Sequence, residues 1–467
     1  MTTQSHTQEL TQFRHRLYHS FDNRADTLME LVDAVCSNPF AQSVVEYSLT
    51  PCFRRTHTAL YKAIAECRWD ERQLARLLAP YLPPPQQRSF WLMGVDVTPQ
   101  PRLYARTLLD RGMVHHPNPV KGNTPVTVGH QYSSVALLPE LEQGLSSSWV
   151  VPLRTQRVHT DQDKELVGAA QIDALLQDRL LPFHQELCVE VEDTSYSKPA
   201  YLHANRQHSN LVTIARVRSN RIFHRPYVCS DASVGHPRWY GDPFSLSDPT
   251  TWHPADEQAA TTFVSRRGKA YRVEMQAWHN MLMRGKRQPE CLPMHRYPFT
   301  LVRIVLYDQE GAQVFRHPLW LIVIGERRHE LSVRDVYDAY RQRFDLEHFF
   351  RFGKQKLLLD RFQTPDAERE ETWWQLGHIA YAQLWMARHV ARSFPHPWER
   401  YLPTMQDRRM SPTLVQRDFG RVIRAIGTPA QPPKRRGNSP GRRKGAKLQP
   451  RLRHRVVVKS QQQAIRP

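Results

Sequence analysis

Apolar positions recur at helical spacing through TLMELVDAVC and ERQLARLLAPYL, with polar and charged residues between them. This predicts helices from residue 7 to about 80. TALYKAIAECRWDERQLARLLAPYL reads as two helices joined near Arg68-Trp69-Asp70. An ordinary helical pair is favoured over a DNA-reading helix-turn-helix by about two to one, because the turn has no Gly. The PPPQQ run from Pro83 breaks the pattern and closes a helical N-terminal domain over residues 1–82, which a DNA-end-binding role would also suit.

The period then changes. SFWLMGVDVT is an apolar run ending around Asp96, as expected of a strand buried on both faces. GHQYSSVALLP and SSSWVVPLRTQRV follow as strands, and residues 161–180 have the length and periodicity of a helix. LCVEVEDTSYS returns to strand character and reaches Asp193. KPAYLHANRQ is expected to be a short helix, and NLVTIARVRSNRIF another strand. Three strands, helix, strand, helix, strand describe an α/β layered domain, with its first part at residues 88–218.

Between 219 and 295, Pro, His, Trp and basic residues are dispersed, which suggests a β-rich insertion with its own small core. Strand signals resume in YPFTLVRIVLYD and HPLWLIVIG, opening a second part of the core at 296–395. Ser332 with Asp335 forms a capping-box-like start to the helix carrying Glu347. Thr364-Pro365 opens a further helix, with Pro at its first position, running to about Arg392. The last segment, 396–467, is basic. From about 429 it is rich in Pro, Gly and cations, and disorder is expected there until it meets nucleic acid.

Charge sharpens this picture. The 467 residues carry a net charge of +20. Residues 431–467 hold twelve Lys or Arg and no Asp or Glu, so about +8 remains on the body by subtraction. A polyanion is the natural partner, DNA or RNA before a membrane surface, because neutralised phosphates release counterions and no amphipathic anchor stands out. Six scattered cysteines with no CxxC pair argue against zinc and against a disulfide framework. No secretory signal and no membrane-spanning run is evident, so a cytosolic, reduced chain is expected.

The chemistry centres on carboxylates. In YRQRFDLEHFFRFGK, at about 100° per helical residue, Arg343, Glu347 and Lys354 lie roughly 60°, 20° and 40° from Tyr340 in one sense. One helix face therefore carries a carboxylate, two cations and a phenol, a mixture suited to metal ions beside phosphates. Asp96 and Asp193 end two strands, and with Glu347 they form a hard oxygen set fit for two Mg²⁺ or Mn²⁺ ions in phosphodiester cleavage. Each has a plainer account: strand-end turn chemistry for the aspartates, an i,i+4 pair with Arg343 or Arg351 for Glu347. Alternation in LCVEVED puts Asp193 on the face of Val189 and Val191 and turns Glu190 and Glu192 away. Asp231 is a rival for the second position, and Asp308 is a strand-end acid without a partner pattern.

These residues carry a resemblance. Tyr340, Arg343, Glu347 and Lys354 match every gap of the YREK motif in one branch of bacterial insertion-sequence DDE transposases. WLMGVDVT resembles that family's first-Asp strand, VEDTSYS with TIARVRSNR its second-Asp strand and the basic strand after it, and WLIVIG the strand that closes its insertion. The resemblance spans Phe90 to about Ala391. It implies a ribonuclease-H-like catalytic core with a β-rich insertion, Asp96, Asp193 and Glu347 as ligands of the catalytic ions, and Tyr340, Arg343 and Lys354 on phosphates of the transposon end. It further implies Arg216, Arg218 and Arg221 along the DNA path, and Trp320 as an aromatic that stacks on a flipped base. From the residues alone a core tryptophan is favoured for Trp320, by about three to two, and a solvated strand edge for the arginines.

The expected activity is cut-and-paste DNA transposition: cleavage at the terminal inverted repeats and strand transfer into target DNA, by a homodimer on paired ends in the bacterial nucleoid. The alternatives are a ribonuclease-H-like nuclease without strand transfer and a domesticated, inactive DNA-binding protein.

Overall fold

The computed structural model describes the chain except residues 1–2, 117–124, 141–148, 229–237, 266–267, 286–291, 394–409, 435–440, 442, 448 and 459–467. Four helices open it: α1 (Thr3–His19), α2 (Ala25–Ser37), α3 (His57–Glu66) and α4 (Gln73–Leu78). Then come β1 (Trp91–Pro101), β2 (Gly112–His115), β3 (Val126–Leu137), β4 (Val151–Val158), α5 (Lys164–Leu176), β5 (Cys188–Glu192), α6 (Pro199–Asn205) and β6 (Leu211–Val217). The insertion supplies β7 (Ile222–Pro226), β8 (Tyr240–Ser245), β9 (Glu257–Val264) and β10 (Ala270–Met281). After it lie β11 (Phe299–Tyr307), β12 (Leu319–Ile324), α7 (Val333–Gln342), α8 (Phe344–Lys356), α9 (Ala367–Ala387) and α10 (Pro412–Ile426).

Ten strands make one mixed sheet in the order β2-β3-β1-β5-β6-β12-β11-β10-β9, with β4 also on β3. β1 is antiparallel to β3 and parallel to β5, and β5 is parallel to β6. This is the ribonuclease-H-like arrangement, preceded by a helical N-terminal region. β5 is buried along its whole length, its Cys188, Val189 and Val191 alternating with the buried carboxyls of Glu190 and Glu192.

The insertion differs from the expected separate unit. β9 and β10 prolong the main sheet through β11 and β12, and only β7 and β8 pair apart. Its aromatic cluster, including Phe244, Trp252 and Trp278, closes onto Trp320 of β12 and is continuous with the main core.

The N-terminal helices are likewise packed into that core. α9, buried on nearly every side, lies against α1, α2, α3 and α10. Arg14 of α1 and Asp33 of α2 form a buried ion pair. Gln383 of α9 joins it, donating to Asp33 at 3.0 Å, while its own side-chain oxygen accepts from Arg14 at 3.1 Å. Asp366 caps α9 by accepting from the Glu368 and Arg369 amides, so Pro365 precedes the cap and does not occupy the first helical turn.

In the tail, the Ala430 carbonyl accepts from Arg54 at 2.9 Å, and the His454 and Val457 amides donate to the Arg106 and Arg111 carbonyls just before β2.

Candidate functional site

β1 and β5 bring the two aspartates together. Their parallel register pairs Trp91 with Cys188 and Gly94 with Val191. Two residues further along both strands, it sets Asp96 beside Asp193 on one face. Asp96 stands within β1, opposite Ser134 of β3, and not at the strand's end as the apolar run suggested. Pairing with β5 has stopped by then, so the position is open on that side. Asp193 directly follows β5 and starts a short turn, Thr194–Tyr196, to which its carboxylate makes no capping bond.

Helices α7 and α8 cover this face. Ser332 and Asp335 exchange a full capping box, with Ser332 Oγ accepting from the Asp335 amide at 3.1 Å and the Asp335 carboxylate accepting from the Ser332 amide at 3.0 Å. The single helix expected here is two, divided at Arg343. There the bonding tightens, with Arg343 N donating to Tyr340 O and Leu346 N to Arg343 O. A strict 100° wheel therefore does not run through the motif, yet its residues still converge.

The Arg343 guanidinium donates to the Glu347 carboxylate at 2.9 Å and lies 3.9 Å from Asp96 Oδ2. It forms a cationic bridge between the strand acid and the helix acid. Burial works against its charge, but Tyr340, Asp96, Asp193 and Glu347 together raise its pKa above the ordinary guanidinium value. Tyr340, half-buried, is raised chiefly by burial, while Arg343 and Arg216 oppose the shift and Asp193 adds to it. Lys354 reaches back across the sheet, donating from Nζ to the Pro99 carbonyl at 2.8 Å. Burial lowers its pKa, and Asp360 and Asp96 pull the other way.

Asp96 keeps 26 % of its side chain exposed. Even so, burial pushes its pKa up to about 6, against Arg343 and the Val97 amide, with Asp193 adding to the rise. An ionised Asp96 is thus short of positive charge, and the donor set is hard oxygen, the kind that holds Mg²⁺ or Mn²⁺. By its chemistry this donor type suits a divalent cation. Among the described residues, no three His, Cys, Asp or Glu converge on a single point.

Register separates the remaining sequence candidates. Arg216 pairs with Leu321 and shares the face of Asp193; it is exposed and close enough to influence Tyr340. Trp320 pairs with Val217, two residues from Ala215, which pairs with Glu192. Trp320 therefore lies on the opposite face. It is 1 % exposed, packed against Trp252, Trp278 and Phe244. A ring so enclosed presents no surface to a base, which corrects the base-stacking expectation in favour of a core tryptophan. Arg218 is exposed beyond β6. Arg221 lines a cleft of about 1160 Å³ with Lys198, Arg284 and Pro243. Neither joins the acids.

The rival acids have other work. Glu190 and Glu192 are fully buried on the face opposite Asp193, where Tyr201 donates to both. Burial raises Glu190 to about 7. Asp308 accepts from the amides of Glu310 and Ala312, ordinary turn chemistry. Asp231 lies outside the described residues.

Gly94 was passed over in the sequence. A Cβ there would stand 2.5 Å from Leu346 Cδ1 of α8. Two residues before Asp96 and on the same face, it lets α8, which carries Glu347, pack closely on β1. A glycine inside an apolar strand was the available signal.

A ribonuclease-H-like sheet carrying adjacent aspartates under a helix with a third acid defines a class of nucleases that cut phosphodiester bonds with divalent metal ions. The family model described as DDE superfamily endonuclease matches residues 16–285, more than half of the chain, and the chain belongs to that family. The match includes Asp96 and Asp193 and ends before Glu347. No curated protein matches the chain. Among the described residues, no helix is long and apolar enough to cross a membrane.

Proposed function

We propose that this endonuclease is a DNA transposase of the YREK branch, cutting at the ends of its own insertion sequence and transferring the freed strand to target DNA. One observation carries this reading: Arg343 ties Glu347 to Asp96 beside Asp193, while Tyr340 and Lys354 border the same carboxylates.

Asp96, Asp193 and Glu347 would hold Mg²⁺ or Mn²⁺, two ions in the usual arrangement for such chemistry. Bound there, the metal supplies Lewis acidity to the attacking and leaving oxygens. The chain's own part is positioning and charge. Arg343, beside the carboxylates, would bind an end phosphate, and Arg216 and Tyr340 would flank it. Lys354 stays anchored to β1 and keeps α8 against the strand that carries Asp96. A homodimer pairing two ends belongs to the same reading.

In vivo excision of a marker flanked by the DNA bordering the gene tests this, comparing wild type with Glu347→Gln at equal protein level. Excision by wild type alone supports the proposal. Excision by both removes Glu347 from the mechanism. Metal-dependent nicking in vitro without joining to target DNA would leave a nuclease that lacks strand transfer.

A further inference from the structure

Part of the basic tail docks on the segment 106–112. His454 N donates to the Arg106 carbonyl and Val457 N to the Arg111 carbonyl, each at 2.8 Å. The Arg111 guanidinium donates to the His454 carbonyl at 3.2 Å, and Val457 bridges in parallel to Gly112 at the start of β2. β2 ends the sheet order, and the tail takes up carbonyls of the segment leading into that edge strand.

Arg451, Arg453 and Arg455 are all exposed, as is Leu452 between them, whereas His454, Val456 and Val457 are partly covered. Exposed Arg106 supplies the carbonyl that holds His454, which brings a fourth guanidinium to this edge. The acid of that loop, Asp110, is engaged with Arg157 at 2.6 Å and leaves these arginines uncancelled.

These arginines are also within reach of the site. β1 leads from Asp96 to Pro101, about 17 Å of extended strand, into the loop bearing Arg106. A duplex rising about 34 Å per turn can span both places.

We propose that the exposed Arg451, Arg453 and Arg455 are phosphate contacts for the DNA duplex flanking the cleavage site, held in place by the pairing of residues 454–457 to the segment 106–112 that leads into β2. A docked segment loses less conformational freedom on binding than a free polycation of the same charge. The proposal rests on DNA being the substrate of the candidate site.

Binding of a fluorescein-labelled duplex from the DNA bordering the gene, measured against salt concentration in the full chain, provides the test. Replacing all three arginines by Gln is expected to weaken binding by about tenfold or more at low salt. The plot of log affinity against log salt should become shallower by about 2–3, since each neutralised phosphate contributes about 0.9. Val457→Pro removes the amide held by Arg111 but no charge, and an intermediate loss is expected. Wild-type affinity and slope in the triple variant would overturn the proposal. Wild-type binding by Val457→Pro would overturn the docked segment in favour of a free basic tail. Absence of DNA binding by the wild-type chain would remove both this inference and the transposase function beneath it.

Discussion

The Arg343 guanidinium donates to the Glu347 carboxylate at 2.9 Å across the division between α7 and α8. The same group stands 3.9 Å from Asp96, so a guanidinium occupies the approach to the carboxylates. Arg343→Ala is therefore expected to bind Mn²⁺ more tightly in the absence of DNA, by about two- to fivefold, the scale of a partly exposed ion pair. DNA-end binding should weaken in the same variant. Calorimetric titration with Mn²⁺ decides it, and unchanged metal affinity would detach Arg343 from the acids.

Gly94 sets the distance between β1 and α8. Gly94→Val should force Leu346 aside, cost about 1–3 kcal/mol of stability by overpacking, and slow DNA nicking by displacing Glu347. Adding Leu346→Ala opens the space and should restore part of the nicking rate. A double variant as slow as Gly94→Val would break the link between this contact and the site.

His378 of α9 gives stability a pH dependence of definite sign. It is fully buried, its Nδ1 donating to the Trp374 carbonyl at 2.8 Å and its Nε2 facing the Ser134 hydroxyl at 3.1 Å. Burial lowers its pKa from 6.5 to about 4. The unfolded chain then binds a proton that the folded chain refuses. Stability is lost as pH falls from about 6.5 toward 4, by roughly 3 kcal/mol for this group. Glu190, raised to about 7, acts oppositely, contributing below its unfolded value of 4.5 and losing that contribution as pH rises toward 7. Comparing wild type with His378→Gln in urea unfolding at several pH values isolates the histidine. The variant should lose less stability on acidification, and parallel curves would refute the assignment.

Asp33 ties the N-terminal helices to the rest of the fold. Asp33→Ala leaves the buried Arg14 charge uncompensated, and a loss of about 3–5 kcal/mol is expected. Pairing Arg14→Met with Asp33→Leu removes both charges and should be markedly milder. Urea unfolding measures both, and equal losses would mean that packing alone matters there.

Much of the candidate site was legible because strand and helix periodicities report faces directly. Alternation in LCVEVED separated Asp193 from Glu190 and Glu192, and the spacing of Tyr340, Arg343, Glu347 and Lys354 survived even a divided helix. The capping box at Ser332 is local chemistry and was read correctly for that reason. Trp320 illustrates the opposite case. Its strand was evident, but its face depends on a register passed through β12, β6 and β5, and no local pattern encodes that.

The sequence by itself determined most of the core strands and helices though not β2, α10 or the division of α7 from α8, together with the basic character of the chain and the set of acids worth weighing, because propensity, period and charge act over a few neighbouring residues. Tertiary structure alone decided that β9 and β10 extend the main sheet, that α1 and α2 join α9 in one core, and that residues 454–457 meet the segment leading into β2. It also decided that Arg343 bridges Glu347 and Asp96. Each of these depends on residues far apart in the chain meeting through backbone pairing or shared burial, where the free energy belongs to the assembled surfaces and not to any one segment.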